Sequence, residues 1–259
     1  MCLLVLAWRT HPRYRLVVAA NRDEFHERPA APLASWPVGE VLGGRDLRAG
    51  GAWLALDRTR RFGVVTNFRE LQRPRAGAPS RGNLIPRFLT GTHGAGQFFG
   101  SLEAEAAGYS GFNLLLADNE SLWYGSNRAA PFARELPAGV HGLSNELLDT
   151  PWPKLLRVRR GFEAWLATPA AQSPAALFEL LHDRTQSAGD SGLRESGLPR
   201  ELEQVLSAPF VVHPTYGTRC STVLLLQNDG GLYIGERRFD ASGAPAGETE
   251  FRLNPGDWP

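Results

Sequence analysis

Residues 1–24 read MCLLVLAWRTHPRYRLVVAANRDE. Two apolar runs, 2–8 (CLLVLAW) and 14–20 (YRLVVAA), flank the turn-like segment Thr10-His11-Pro12-Arg13, and this pattern predicts a hairpin. Neither run alternates apolar with polar residues. Both are almost continuously apolar, as in strands covered on both faces. A polar tetrad, Asn21-Arg22-Asp23-Glu24, follows the second run directly and places charged groups at the end of a buried strand.

Further along, Gly51–Leu56 and Phe62–Asn67 predict a hairpin around Asp57-Arg58-Thr59-Arg60, and Phe112–Ala117 and Ser121–Tyr124 predict another around Asp118-Asn119-Glu120. Residues 69–82, rich in Pro, Gly and Arg, read as a loop. Ser80 is placed to cap a short helix over 83–90, and a second helix is expected over 95–107. Pro151–Ala167 has an amphipathic pattern and opens with proline in its first turn, which predicts a helix; 174–183 predicts another. Residues 184–198 have the composition of a surface loop. Thr218–Gln227 and Leu232–Phe239 read as strands joined at Asn228-Asp229-Gly230-Gly231, a hairpin signature. Hairpins interleaved with helices point to antiparallel sheets with helices packed outside them, an α+β layered domain. Neither an internal repeat nor a glycine-rich phosphate-binding loop occurs. The 259 residues are expected to form a single domain, 1–259.

Composition narrows the function. A net charge of +1 gives no electrostatic case for nucleic acid or an anionic membrane as partner. Of the 28 basic residues, only Lys154 is a lysine. The two cysteines, Cys2 and Cys220, are too few for a disulfide scaffold and suit a reducing compartment. The apolar start has no basic segment before it and no small-residue cleavage site after it, and it is too short to span a bilayer. A cytoplasmic protein without integral membrane association is therefore expected. Paired Cys/His spacings and His-Glu-x-x-His are absent from the sequence, so a metal enzyme is disfavoured.

Cys2 is the first candidate for chemistry. Removal of Met1 would give a cysteine bearing both a thiol and a free α-amine, and both groups titrate near neutrality. Such a residue can use its own amine as general base. By position alone, Cys2 also fits a small residue in a buried strand. In the tetrad, a carboxylate can orient the amine and an arginine can favour the thiolate, although a solvated loop has the same composition. Asn67 and Asn145 end strand-like segments and are neutral donors suited to an oxyanion, or turn and cap residues. Arg219, at the start of a strand, can bind a carboxylate, support the nucleophile, or form a surface ion pair. Cys220 reads as core.

Together, Met1-Cys2, Asn21-Arg22-Asp23-Glu24 with Arg28-Pro29, Gly43-Gly44-Arg45-Asp46, Gly50-Gly51-Ala52-Trp53-Leu54-Ala55, Thr66-Asn67-Phe68-Arg69, Ser80-Arg81-Gly82, Gly111-Phe112-Asn113-Leu114, Gly142-Leu143-Ser144-Asn145 and Gly217-Thr218-Arg219-Cys220-Ser221-Thr222 resemble the NRDE, or transport-and-Golgi-organisation, family in the same order. The resemblance runs to about Phe239. That family is distantly similar to the cysteine N-terminal-nucleophile hydrolases that cleave bile-salt amides and penicillin V. The resemblance implies a four-layer αββα sandwich with Cys2 as nucleophile. It further implies that Asp23 holds the α-amine, that Asn67 and Asn145 lie around the oxyanion, and that Arg219 lies in the pocket. The hydrolases carry Arg-Asn-x-Asp where this chain has Ala20-Asn21-Arg22-Asp23, so the charged role would fall to Arg22 or be absent.

Three readings follow. The first is a cysteine amidohydrolase or thioesterase acting on an acyl amide or thioester, with no cofactor required. The second is a carrier that keeps the pocket without turnover. The family's implication in haem trafficking and acyl-CoA or lipid metabolism makes the ligand haem or an acyl-CoA-like molecule. By motif position, Asn21, Arg22, Glu24, Arg45, Arg69 and Arg81 would bind it. For haem, the candidate axial ligands are Cys2 and His11, His26, His93, His141, His182 and His213, none of them in a haem-attachment motif. The third is a scaffold for protein partners.

Overall fold

The computed structural model describes residues 3–37, 40–70, 77–168, 173–187 and 198–259. Among these residues two antiparallel sheets form. The first opens with the predicted hairpin, β1 (Leu3–Trp8) and β2 (Tyr14–Phe25), whose register pairs Leu3 with Asn21 and Trp8 with Leu16. Strand β2 does not stop before the polar tetrad. It runs five residues beyond Ala20 because β11 (Tyr216–Gln227) pairs with its whole length, from Gln227 opposite Tyr14 to Tyr216 opposite Phe25. The tetrad's backbone thus finds ladder partners almost two hundred residues away. The remaining strands of this sheet are β10 (Gly139–Leu143), β12 (Leu232–Phe239) and β13 (Pro245–Leu253), in the order β10-β1-β2-β11-β12-β13.

The second sheet runs β3-β4-β5-β6-β7-β8-β9. Its strands are β3 (Ala30–Ser35), β4 (Val41–Asp46), β5 (Ala52–Asp57), β6 (Phe62–Asn67), β7 (Phe112–Ala117), β8 (Leu122–Ser126) and β9 (Ala133–Glu135). The expected β5–β6 and β7–β8 hairpins are present.

Period-two alternation separates the core into three layers. Leu4, Leu6, Leu16 and Val18 of the first sheet meet Leu54, Leu56, Phe62, Val64 and Leu115 of the second. The opposite faces of β1 and β2, with Leu3, Val5, Val17 and Ala19, lie under α3 (Pro153–Leu166) and α4 (Pro174–Leu181) through Leu155, Phe162 and Phe178. The outer face of the second sheet, with Ala55, Leu114 and Leu116, is covered by α1 (Leu84–Leu89) and α2 (Ala95–Glu103) through Ile85, Phe88, Phe98 and Phe99. The order of layers is helix, sheet, sheet, helix, the αββα sandwich. Full burial of each large apolar side chain contributes about 1.5–3 kcal/mol, and these strands bury such groups on both faces.

Several boundaries differ from expectation. A 3-10 turn over Arg81–Asn83 precedes α1, and the Ser80 side chain makes no capping bond. Helix α2 ends at Glu103. A further short helix, α5 (Arg200–Leu206), follows the second loop; of the two predicted loops, residues 71–76 and 188–197 lie outside the described residues. The tail after Asp240 forms the edge strand β13. Its alternating Glu-Thr-Glu-Phe-Arg-Leu pattern is that of a strand with one exposed face. Among the described residues, no helix is long and apolar enough to cross a membrane.

Candidate functional site

Alternation along β2 splits the tetrad. Asn21 and Asp23 share the face of Val17 and Ala19, toward the helices, whereas Arg22 and Glu24 share the face of Val18 and Ala20, toward the second sheet. The two pairs reach different places. Asp23 lines a cavity of about 350 Å³ together with Asn67, Asn145, Arg69, Arg81 and Lys154. The apolar part of its wall comes from Phe25, Phe68, Leu202, Leu206 and Tyr216. Arg22 and Glu24 line a second cleft of about 290 Å³ with Arg28, Asp46 and Trp53. Asn67, Arg81 and Ser110 line both cavities.

In the first cavity, Asp23 is 2% exposed. Thr218, its ladder partner on β11, donates its hydroxyl to Asp23 Oδ1 at 2.6 Å, and Thr218 Oγ1 in turn accepts from Val211 N–H at 2.9 Å. Asn67 ends β6 and is exposed. Its carbonyl accepts from Asn145 Nδ2 at 3.0 Å, and Asn145 O accepts from Arg69 N–H at 2.7 Å. Asn145 adopts φ 58°, a left-handed conformation that asparagine tolerates better than most residues. The loop that carries it rests on a buried polar chain. Tyr124 Oη donates to Asn113 Oδ1 at 2.8 Å, Asn113 Nδ2 donates to Glu146 O at 3.0 Å, and Leu148 N–H donates to Tyr124 Oη at 3.2 Å. Asp149 closes the loop by accepting from Gly142 N–H at 2.8 Å. Arg69 pairs with Glu203 of α5 at 3.1 Å. Arg81 donates to Gly111 O at 2.9 Å, and burial lowers its pKa.

The second cleft is an ion-pair network. Arg22, 4% exposed, lies 3.8 Å from Glu24 and 3.7 Å from Asp46 and stacks over Trp53 at 4.5 Å. Arg28 binds Asp46 at 2.5 Å. Burial opposes ionisation of Asp46, but the Arg28 hydrogen bond, the Ala49 N–H and the nearby cations hold its carboxyl below the usual range.

The other expected residues lie elsewhere. Asn21 is fully buried beneath the helices. Its Nδ2 donates to Leu181 O (2.8 Å) and Pro209 O (2.9 Å), and its Oδ1 accepts from Ser221 Oγ at 2.6 Å. It ties the end of α4 to the sheet and does not line either cavity. Arg219 sits at a register shift in β11, and its Nη1 is held by the carbonyls of Phe25, His26 and Arg28; it too lies off both walls. Arg45 is exposed, stacked on Trp36 and bonded to Gly50 O. Cys2 lies outside the described residues. Leu3, the residue bonded to it, pairs with Asn21, two residues before Asp23. Cys220 is buried core, and burial together with Glu236 pushes its thiol up. His213 lines the first cavity. Among the described residues, no group of three or more His, Cys, Asp or Glu side chains is arranged to hold a metal ion. Lys154 and Thr218 join the site although neither was singled out as a site residue. The signal for Lys154 was its being the only lysine in the chain.

Residues 1–241 match the family model described as Transport and Golgi organisation 2. The chain belongs to this family. It is 34% identical to the Transport and Golgi organization protein 2 homolog of Bos taurus, over 98% of this chain and 99% of that protein. With the Drosophila melanogaster Transport and Golgi organization protein 2 it shares 26%, over 100% and 95%. Among solved structures it is similar to the Caenorhabditis elegans N-acylethanolamine-hydrolyzing acid amidase ortholog, with a TM-score of 0.49 and 10% identity, covering 86% of this chain and 92% of that chain.

Proposed function

We propose that this member of the Transport and Golgi organisation 2 family is a cysteine N-terminal-nucleophile hydrolase acting on an acyl amide or thioester. The observation that carries the reading is the convergence of Asp23, Asn67 and Asn145, from three separate parts of the chain, on one cavity with an apolar wall. Apolar cavities with a few converging polar groups are where ligands bind.

After removal of Met1, the α-amine of Cys2 takes the thiol proton, and the sulfur attacks the acyl carbonyl carbon. A C–S bond forms, and the carbonyl oxygen becomes an oxyanion. The side-chain amides of Asn67 and Asn145 donate to it; loss of one such donor costs about 3–4 kcal/mol in the barrier. Collapse expels the amine or thiolate, which takes the proton held by the α-amine. Water then attacks the thioester with the α-amine as base, a C–O bond replaces the C–S bond, and the acid leaves. Asp23, held by Thr218, orients the α-amine throughout. The apolar wall takes the acyl chain.

Intact-mass spectrometry of the purified protein, before and after incubation with acyl-amide and acyl-thioester substrates, tests the reading. The expected mass lacks Met1 and gains a transient acyl adduct that Cys2→Ser abolishes. A chain that retains Met1, or a processed chain that never acylates, overturns it. Saturable acyl-ligand binding without an adduct would then assign the cavity to a carrier.

A further inference from the structure

The chain has 27 arginines and a single lysine. Wherever a cation suffices, this sequence uses arginine, so the position that carries lysine asks for something arginine does not supply. Lys154 sits in the first turn of α3, after Pro153, at the helix end where the backbone dipole disfavours a cation. It is 4% exposed, although lysine is rarely buried so fully. Its Nζ donates to Leu206 O at 2.8 Å, and the side chain lines the cavity that gathers Asp23, Asn67 and Asn145. The ammonium itself is carried to the C-terminal end of α5, where the Leu206 carbonyl and the backbone dipole favour a cation, and what sets Lys154 apart is its burial in the cavity wall and its departure from the chain's own usage. Charged groups buried in this way cluster in functional sites. An ammonium also differs from a guanidinium in kind. It is a compact point charge on a flexible stem, suited to one oxygen atom where the planar guanidinium fork suits two.

We propose that Lys154 contacts the ligand, its ammonium binding an oxygen that carries negative charge. This rests on the reading of the cavity as the acyl site. The negative oxygen has two sources, a carboxylate on the bound molecule or the oxyanion formed when the carbonyl is attacked, and experiment separates them. The α-amine and Lys154 are the only amines in the chain, so an amine-specific acetylating reagent followed by intact-mass and peptide-mass analysis reads Lys154 directly, against a background of one other site.

Dodecanoate and dodecanol, matched in chain length, serve as binding probes, and a p-nitrophenyl dodecanoyl ester reads turnover. If the oxygen is a carboxylate, dodecanoate slows acetylation of Lys154 at least tenfold and dodecanol does not; Lys154→Met then binds dodecanoate at least tenfold more weakly. If it is the oxyanion, neither probe protects more than the other, and Lys154→Met lowers kcat at least tenfold at unchanged KM. In both cases Lys154→Arg restores only part of the loss, and its thermal unfolding shows that it folds. Protection measured on Cys2→Ser keeps the inference separate from the hydrolase reading, because that variant loses turnover and retains Lys154-dependent binding. Labelling that no probe alters, with Lys154→Met and Lys154→Arg folded and indistinguishable from the parent in binding and turnover, overturns it.

Discussion

Thr218 and Asp23 face each other across the β2–β11 ladder, and the threonine hydroxyl donates to the carboxylate at 2.6 Å with both side chains buried. The same oxygen accepts from Val211 N–H, so one hydroxyl orients the carboxylate and satisfies a backbone donor. Thr218→Val is nearly isosteric and removes both bonds. A buried hydrogen bond to a charged group contributes about 1.5–3 kcal/mol and one between neutral groups about 0.5–1.5 kcal/mol, so a loss of about 2–4 kcal/mol in urea unfolding is expected. Thr218→Ser keeps the hydroxyl and should recover most of the loss, together with any turnover that depends on Asp23. Equal losses in both variants would show that the methyl group, and not the hydrogen bond, matters at this position.

Glu236 carries a cross-sheet bond. From β12 it accepts Leu33 N–H of β3 at 3.0 Å, beside the Cys220 thiol and 3.6 Å from Arg238 Nη1. Burial raises its carboxyl above the ordinary 4.5, and the Leu33 N–H and Arg238 only partly offset this. The folded protein therefore holds this proton to a higher pH than the unfolded chain. Its contribution to stability is fullest below pH 4.5 and falls as pH rises through the folded value. Glu236→Gln keeps an acceptor for Leu33 and has no charge to bury. Its stability relative to the parent should rise from about pH 4.5 upward and then level off, by about 1.4 kcal/mol for each unit that the carboxyl is raised. Denaturation series across pH 4–8 measure this, and a difference that does not vary with pH counts against it.

Much of the architecture was legible because strands covered on both faces write continuous apolar runs, and β1, β2, β7 and β11 do so. The extension of β2 through Asn21–Phe25 was not legible, because its partner is supplied by residues 216–221 and no local pattern announces that pairing. The division of the tetrad into Asn21 with Asp23 and Arg22 with Glu24 follows from period two alone once the strand is known to continue. Arg219 shows the opposite limit. The register shift at this residue sends its guanidinium to the carbonyls of Phe25, His26 and Arg28, and a shift of one residue leaves no trace in the sequence. Helix α5 is short and mostly polar, and its cavity-lining Leu202 and Leu206 show only as an i, i+4 pair.

Asp149 holds the loop that presents Asn145. Its Oδ1 accepts Gly142 N–H at 2.8 Å, and it lies 3.2 Å from His141 Nδ1 and 3.3 Å from Arg159 Nη1. Burial opposes ionisation, but these partners win and hold the carboxyl below 3.8. A depressed carboxyl stabilises the fold above the unfolded value and loses that contribution as pH falls through the folded one. The pair is about one-third exposed, so solvent screening limits the effect to about 0.5–1 kcal/mol. Asp149→Asn, which tolerates the φ of 62° at this position, should be less stable by that amount at pH 7 and equal to the parent well below pH 3.8. A deficit that persists in acid would place the cost in packing, not in charge.

Asn145 combines a left-handed backbone with a side-chain bond to Asn67 O, and three substitutions separate the two. Asn145→Gly relieves the backbone and deletes the amide. Asn145→Ala deletes the amide and leaves a β-carbon in a conformation that costs about 1–2 kcal/mol. Asn145→Asp keeps the shape and the backbone preference but sets a carboxylate against the Asn67 carbonyl. Stability should therefore fall in the order parent, glycine, alanine, with alanine below glycine by about 1 kcal/mol. Turnover should fall together in glycine and alanine, by about 100-fold or more if the amide donates to an oxyanion. It should fall at least as far in aspartate, where a negative charge faces the developing one. Thermal melts beside kcat and KM for all three decide the matter. If Asn145→Gly retains the parent's kcat, the left-handed turn is the residue's only contribution and the oxyanion donor must be sought at Asn67.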